Sequence, residues 1–316
     1  MVDLYWEKPG AVRRRGFGDV CTNCRVKTYP DGSQDLLVCE AQIFKTRPGW
    51  ERAGAYQEHP RDKTEGDEPC DPSRAVRRAK AQVRELALCT PFRWFVTLTL
   101  DAFKVNRYDV AEVTRHLNHW LDNQVRRKGL AYVLVPERHK DGAIHFHGFF
   151  NDALTAVDSG TLTGVPGRKK PCKPRSGAQR AKWLEQGAHP VYNLPGWSWG
   201  FTTAIELYGQ YSKAVGYVCK YIGKELDPQG RPQKVGGRWY YSGGDLGHPR
   251  VDYIDMPMTE AAALDGAFQF VVEDAHLAFC LVHIVPEGGE KRGLESCVSG
   301  PAFEHRFPMP QRGLLP

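Results

Sequence analysis

The chain has 316 residues, 43 Lys+Arg against 37 Asp+Glu, a net charge of +6 and an apolar fraction of 41%. That composition fits a folded globular protein with one large domain or two modest ones, and the mild basic bias suits a nucleic-acid partner without demanding one. No apolar run approaches the roughly 20 residues of a membrane span. The Met1–Lys8 segment lacks the basic-then-apolar pattern of a secretion signal, so a cytoplasmic protein with no membrane partner is expected. Nine cysteines, an odd number irregularly spaced, favour thiols or a metal site over a disulfide framework.

Residues 1–72 read as an N-terminal extension rich in Gly, Pro and charge. One hairpin is expected there, with Arg25–Tyr29 and Leu36–Phe44 flanking a turn at Pro30-Asp31-Gly32-Ser33. Cys21-x2-Cys24 is half of a zinc knuckle, which Cys39, Cys70 or Cys89 would have to complete for a structural Zn²⁺.

The main domain is expected over residues 73–250. A helix begins at Asp71-Pro72-Ser73, where Asp or Ser can cap and Pro suits the first turn. Val76, Ala79, Val83 and Leu86 form its apolar stripe, and Arg77, Arg78, Lys80 and Arg84 are candidate phosphate contacts or an ordinary solvated face. Phe92–Asp101 is β-rich and reads as a central strand. Residues 108–128 read as a helix with Val110, Val113, Leu117, Trp120, Leu121 and Val125 inward. Ala131–Val135 and Ala143–Phe150 are the next two strands. Residues 151–198 look like a basic, proline-punctuated insertion that resists a packed core; Lys169 and Lys170 are its candidate DNA contacts. Gly200–Leu207 is a fourth strand and Arg238–Ser242 a fifth. Residues 251–316 are a C-terminal extension, with an apolar helix or two over Glu260–Ala278.

His145-Phe146-His147 lies in the third strand, where period two puts both imidazoles on one face. A His-x-His is expected by chance roughly 0.4 times in this composition, so the motif is weak alone. Register sharpens it. Lys140-Asp141-Gly142 fits a three-residue hairpin loop closed by Gly in the left-handed region, which sets Glu137 directly opposite His145. A two-residue Asp-Gly loop would put Glu137 opposite Phe146, on the wrong face. Pro136 suggests a bulge or strand end beside it. Two His and a carboxylate suit a non-haem iron oxygenase as well as a hydrolytic or phosphoryl-transfer metal.

The second constellation is Tyr217-Val218-Cys219-Lys220-Tyr221-Ile222-Gly223-Lys224, read as a helix running to about Leu226. At about 100° per residue, Tyr217, Lys220, Tyr221 and Lys224 share one face, nearly opposite Val215, Val218, Cys219 and Ile222. The tyrosines are therefore not the core stripe. Two phenols beside two ammonium groups suit attack on an anionic diester, although a Tyr-x3-Tyr pair is expected by chance roughly 0.5 times.

Taken in order, the Phe-Val-Thr-Leu-Thr strand, Glu137 with His145-Phe146-His147, and Tyr217-x2-Lys220-Tyr221-x2-Lys224 resemble the HUH endonucleases. Specifically, they look like two-tyrosine rolling-circle replication initiators, similar to the gene A proteins of single-stranded DNA bacteriophages. The resemblance covers residues 92–242. It implies His145 and His147 as metal ligands with Glu137 as the preceding acidic ligand. Tyr217 and Tyr221 would be the nucleophiles, Lys220 and Lys224 their neighbouring cations, and Thr97 and Thr99 part of a mainly structural first motif. The chain lacks a Gly-x4-Gly-Lys-Ser/Thr phosphate loop, so a separate helicase and host replication proteins would be needed.

The expected fold is α+β, a central antiparallel sheet of about five strands with helices on one face, close to the split βαβ pattern. The expected function is nicking and rejoining of single-stranded origin DNA, with Mg²⁺ or Mn²⁺ at Glu137, His145 and His147; imidazole ligation tilts toward Mn²⁺. The alternatives are a two-tyrosine transposase or relaxase, a DNA-binding protein without catalysis, and the iron oxygenase.

Overall fold

A computed structural model describes residues 5–8, 11–14, 20–46, 72–207, 211–272 and 277–285. The chain divides into two compact units, one formed by residues up to 68 with 249–294 and the other by residues 69–248.

In the first unit, β1 (Tyr5–Lys8) pairs with β2 (Ala11–Arg14), and β3 (Val20–Thr22) with β6 (Phe44–Thr46). The expected hairpin is β4 (Cys24–Thr28) and β5 (Gln34–Cys39), antiparallel around the turn at 30–33. The second strand stops before Phe44, which belongs to β6 instead.

The second unit carries the larger sheet. Helix α1 (Pro72–Cys89) leads into β7 (Trp94–Leu100), α2 (Val110–Lys128), β8 (Tyr132–Arg138) and β9 (Ile144–Phe150). Next come β10 (Val157–Thr163), α3 (Gly177–Glu185), β11 (His189–Asn193), β12 (Gly200–Glu206), α4 (Tyr211–Cys219) and β13 (Tyr241–Gly243). The seven strands pair in the order β10-β11-β12-β7-β9-β8-β13, and the ladders among them are antiparallel. The five strands read from sequence all lie in this sheet, and the α+β class holds.

Three features differ from the sequence reading. Helices flank both faces, because β7, β8 and β9 are apolar on one face throughout and on part of the other. On the first face, Trp94, Val96, Leu98, Leu100, Leu134, Ile144, Phe146 and Phe150 pack against Val113, Leu117, Trp120 and Leu121 of α2. On the second, Val133, Val135 and Phe149 pack against Val76, Ala79, Val83 and Leu86 of α1 and Val215 and Val218 of α4. The 151–198 insertion is folded: β10 and β11 extend the sheet, which satisfies their backbone groups, and Leu162, Val165 and Ala188 close a small core with Cys172 and Trp183. Pro136 makes no bulge, since β8 and β9 stay in register through Arg138↔Ile144. β13 accompanies β8 only as far as Leu134, so Pro136 lies where β8 is an edge and a missing N–H is tolerated.

The chain then returns to the first unit with β14 (Arg250–Ile254), α5 (Met258–Ala263), β15 (Phe268–Val272) and β16 (Leu277–Ile284). These complete a five-stranded sheet in the order β14-β4-β5-β16-β15. The two extensions therefore share one sheet, with a core of Cys24, Val26, Leu36, Val38, Ala261, Cys280 and Val282. The helix expected over 260–278 is helical only to Ala263; after Gly266, at φ 75°, the β-branched and aromatic run forms strands. Among the described residues no helix is long and apolar enough to cross a membrane.

Candidate metal and tyrosine site

The site starts from the β8–β9 hairpin. Gly142 has φ 87°, the left-handed residue that a three-residue loop needs. His139 N–H donates to Ala143 O at 2.8 Å, Gly142 N–H to His139 O at 2.8 Å, and Ala143 N–H to the Asp141 carboxylate at 3.0 Å. This turn sets Glu137 opposite His145, the register derived from sequence. Oε2 of Glu137 lies 3.1 Å from Nε2 of both His145 and His147. Among the described residues these three are the only group of His, Cys, Asp or Glu side chains converging closely enough to hold a metal ion.

The donor set fits a divalent ion. Glu137 is buried, and a buried carboxylate needs cations around it. Burial by itself would raise its pKa, but the hydrogen bond from Lys224 and the charges of His145 and Lys224 bring it below the usual carboxylate range. Both imidazoles are held below their ordinary pKa, chiefly by burial, with Glu137 opposing; His147 falls to about 4. At neutral pH His147 is therefore neutral and carries a ring lone pair. Thr97 Oγ1 lies 3.0 Å from its Nδ1. A threonine oxygen accepting from Nδ1–H leaves Nε2 free to ligate, an arrangement common around metal-binding histidines.

The tyrosines come from α4 and the turn after it. The helix ends at Cys219, not near Leu226. Residues 220–224 continue as i→i+3 turns, with Lys220 N–H donating to Tyr217 O at 3.2 Å and Tyr221 N–H to Val218 O at 3.1 Å. Val215, Val218 and Ile222 are buried as expected, and Tyr217 is 47% exposed. The Tyr221 hydroxyl donates to the Tyr217 hydroxyl. The Tyr221 ring lies flat on His147, with centroids 4.5 Å apart and planes 16° apart, while Tyr217 meets Phe95 edge-on at 5.8 Å. Burial and the hydrogen bond to Tyr217 raise the Tyr221 pKa above that of an ordinary phenol.

The two lysines part company. Lys224 donates to Glu137 Oε1, which holds the lysine pKa above its usual value, and its ammonium sits 5.3 Å from the Tyr221 ring centre. Lys220 is exposed. Glu137, His145, His147, Tyr217, Tyr221 and Lys224 are thus brought together, with Lys220 at their rim. Sequence reasoning undervalues Thr97 as a mere β-former; its place opposite His147 in the β7–β9 ladder is the signal that points to it.

The candidate DNA contacts are more dispersed. Arg77 and Arg78 are exposed on α1, where Lys80 and Arg84 are half-buried, and Lys169 and Lys170 are exposed beyond β10. β10 is the far edge strand, four places from β9, or about 19 Å at ~4.8 Å per strand. Of the cysteines expected around zinc, Cys70 lies outside the described residues. Cys24 and Cys39 are buried, and burial pushes their thiols up to about 11 and about 12. No disulfide joins the described cysteines.

Residues 93–226 match the family model of the ORF2-type replication-associated proteins. The matched stretch begins one residue before β7 and ends two residues after Lys224, so it contains the whole site. This similarity supports a replication-initiator role with DNA as the partner. No curated protein and no solved structure matches the chain.

Proposed function

We propose that this protein nicks and rejoins single-stranded origin DNA through a 5′-phosphotyrosine intermediate, starting and ending rolling-circle replication. The observation that carries the reading is the meeting of the Tyr217 and Tyr221 hydroxyls beside a His147 that faces Glu137. An oxygenase has no use for that pair, whereas a phosphodiester-cleaving site needs a nucleophile and cations.

A divalent ion held by Glu137, His145 and His147 would supply Lewis acidity to the non-bridging oxygens of the scissile phosphate. The remaining work falls to the chain. A tyrosine oxygen attacks phosphorus and the bond from phosphorus to the 3′ oxygen breaks. The phenol loses a proton and the departing 3′ oxygen gains one, so the step balances. The free 3′-OH can prime synthesis, and the phosphotyrosine keeps the diester, so rejoining needs no ATP. A free phenol has a pKa near 10, and the acceptor position of the Tyr217 oxygen favours its phenolate. Because the two hydroxyls share one hydrogen bond, either can address the same phosphate. One can hold an old end while the other cleaves a regenerated origin.

The test incubates the protein with Mn²⁺ and a labelled single-stranded origin oligonucleotide and reads covalent adduct on a denaturing gel. Tyr217→Phe/Tyr221→Phe is expected to form none. An adduct that survives this substitution overturns the nucleophile assignment, and one that survives EDTA or His145→Ala/His147→Ala overturns the metal role.

A further inference from the structure

We infer that Phe201 is a stacking platform for a base of the strand whose phosphate the Glu137–His145–His147 site handles, an inference that rests on the nuclease reading above. Directly paired residues of antiparallel strands share a face. Phe201 pairs with Thr99, Thr99 with His145, and His145 with Glu137, so these four form one row across β12, β7, β9 and β8. The next row holds Thr203, Thr97 and His147. Phe201 is two strands from His145, about 10 Å at ~4.8 Å per strand, or about three nucleotides at a stacked rise of ~3.4 Å.

Phe201 is 67% exposed, and its ring has no aromatic or cationic partner among the described residues. The strand beneath it is firmly held: Thr202 and Ala204, pointing the other way, are buried, and the Thr202 hydroxyl accepts from Leu194 N–H at 2.7 Å. A second aromatic stands at the same end of the sheet. Phe103, fully exposed, lies on the turn after β7, where Asp101 N–H donates to Trp199 O at 3.0 Å, two residues before Phe201.

The surroundings favour a nucleic-acid strand over a protein. A protein interface wants a contiguous apolar core. Here the row and its neighbour offer Thr97, Thr99 and Thr203, hydroxyls suited to a sugar-phosphate backbone, with one aromatic ring among them. Isolated aromatics on a polar track are the sequence-tolerant device by which proteins hold single strands, since every base has a π-face.

The test measures binding of a fluorescein-labelled oligothymidylate by anisotropy, in EDTA so that no cleavage occurs, at one fixed salt concentration. Phe201→Ala should weaken binding roughly 5- to 100-fold, the loss of one base–aromatic stack. Phe201→Leu, apolar but without a ring, should weaken it equally, and Phe201→Trp should bind as the unaltered protein does. Unchanged binding by both the Ala and Leu variants overturns the proposal. So does loss of self-association in sedimentation on Phe201→Ala with strand binding intact, which would make this face a protein interface. The two readings fail separately. Weakened binding in a protein that forms no tyrosine adduct sinks the nicking chemistry and keeps the platform; normal adduct formation with unaltered binding does the reverse.

Discussion

The two faces of the larger sheet are built from the same strands and do opposite work. Toward α2, every second residue of β7 from Trp94 to Leu100 is at most 3% exposed, and the layer is closed by aromatic and aliphatic contacts. Toward α1 and α4 the same strand presents Phe95, Thr97 and Thr99, all half-buried, beside His145, His147 and Glu137. Period two lets one stretch of chain carry stability on one side and chemistry on the other. The first face holds the second in place, so damage to the two should be separable.

The sharpest break is Phe146→Ala. Phe146 is 1% exposed and sits between the two histidines in sequence, on the α2 face. Its removal should cost about 3–5 kcal/mol, read as a lowered denaturation midpoint in urea, although no site atom is deleted. The opposite face should answer differently. Thr97→Val keeps the shape and the strand propensity but removes the oxygen beside His147 Nδ1. It should weaken Mn²⁺ binding about 10- to 100-fold in calorimetry with little change in stability, and Thr97→Ser should restore it. Equal stability losses in the two variants would erase the distinction.

The smallest effect comes from acid. His147 has its folded pKa depressed to about 4, from an unfolded value near 6.5. Below pH 6.5 the unfolded chain takes up a proton that the folded site refuses, so stability is fully present above about 6.5 and is lost as pH falls toward 4. Glu137, also depressed, adds in the same direction at lower pH. Metal-free protein should show this slope in urea titrations between pH 7 and 4, and His147→Gln should flatten the upper part of it.

The reactive face is largely legible in the sequence because local chemistry dictates it. A Lys-Asp-Gly loop fixes a register, and one register alone puts Glu137 beside the histidines. The tyrosine segment is legible in its polarity but not in its shape. Val215, Val218 and Ile222 mark the buried side of a helix equally well whether it continues or tightens into i→i+3 turns after Cys219, and the tightening is what lets Tyr221 reach Tyr217. The insertion escapes a sequence reading because a few apolar residues, Leu162, Val165 and Trp183, are diluted by basic ones. Its strands gain their hydrogen bonds from a sheet that already exists, which no local pattern announces. For the same reason the strands of residues 268–284 read as helix: their partner β5 lies more than 200 residues away in the chain.

Gly148 stands next to His147 and pairs with both Val96 and Leu134. A methyl group there would collide with the Val133 carbonyl oxygen. The carboxylate and the imidazoles belong to two different strands, and beside the second imidazole the gap between those strands has no room for even one added carbon. The aperture that decides which ion fits is thus gauged by a residue with no side chain, one that never touches the ion.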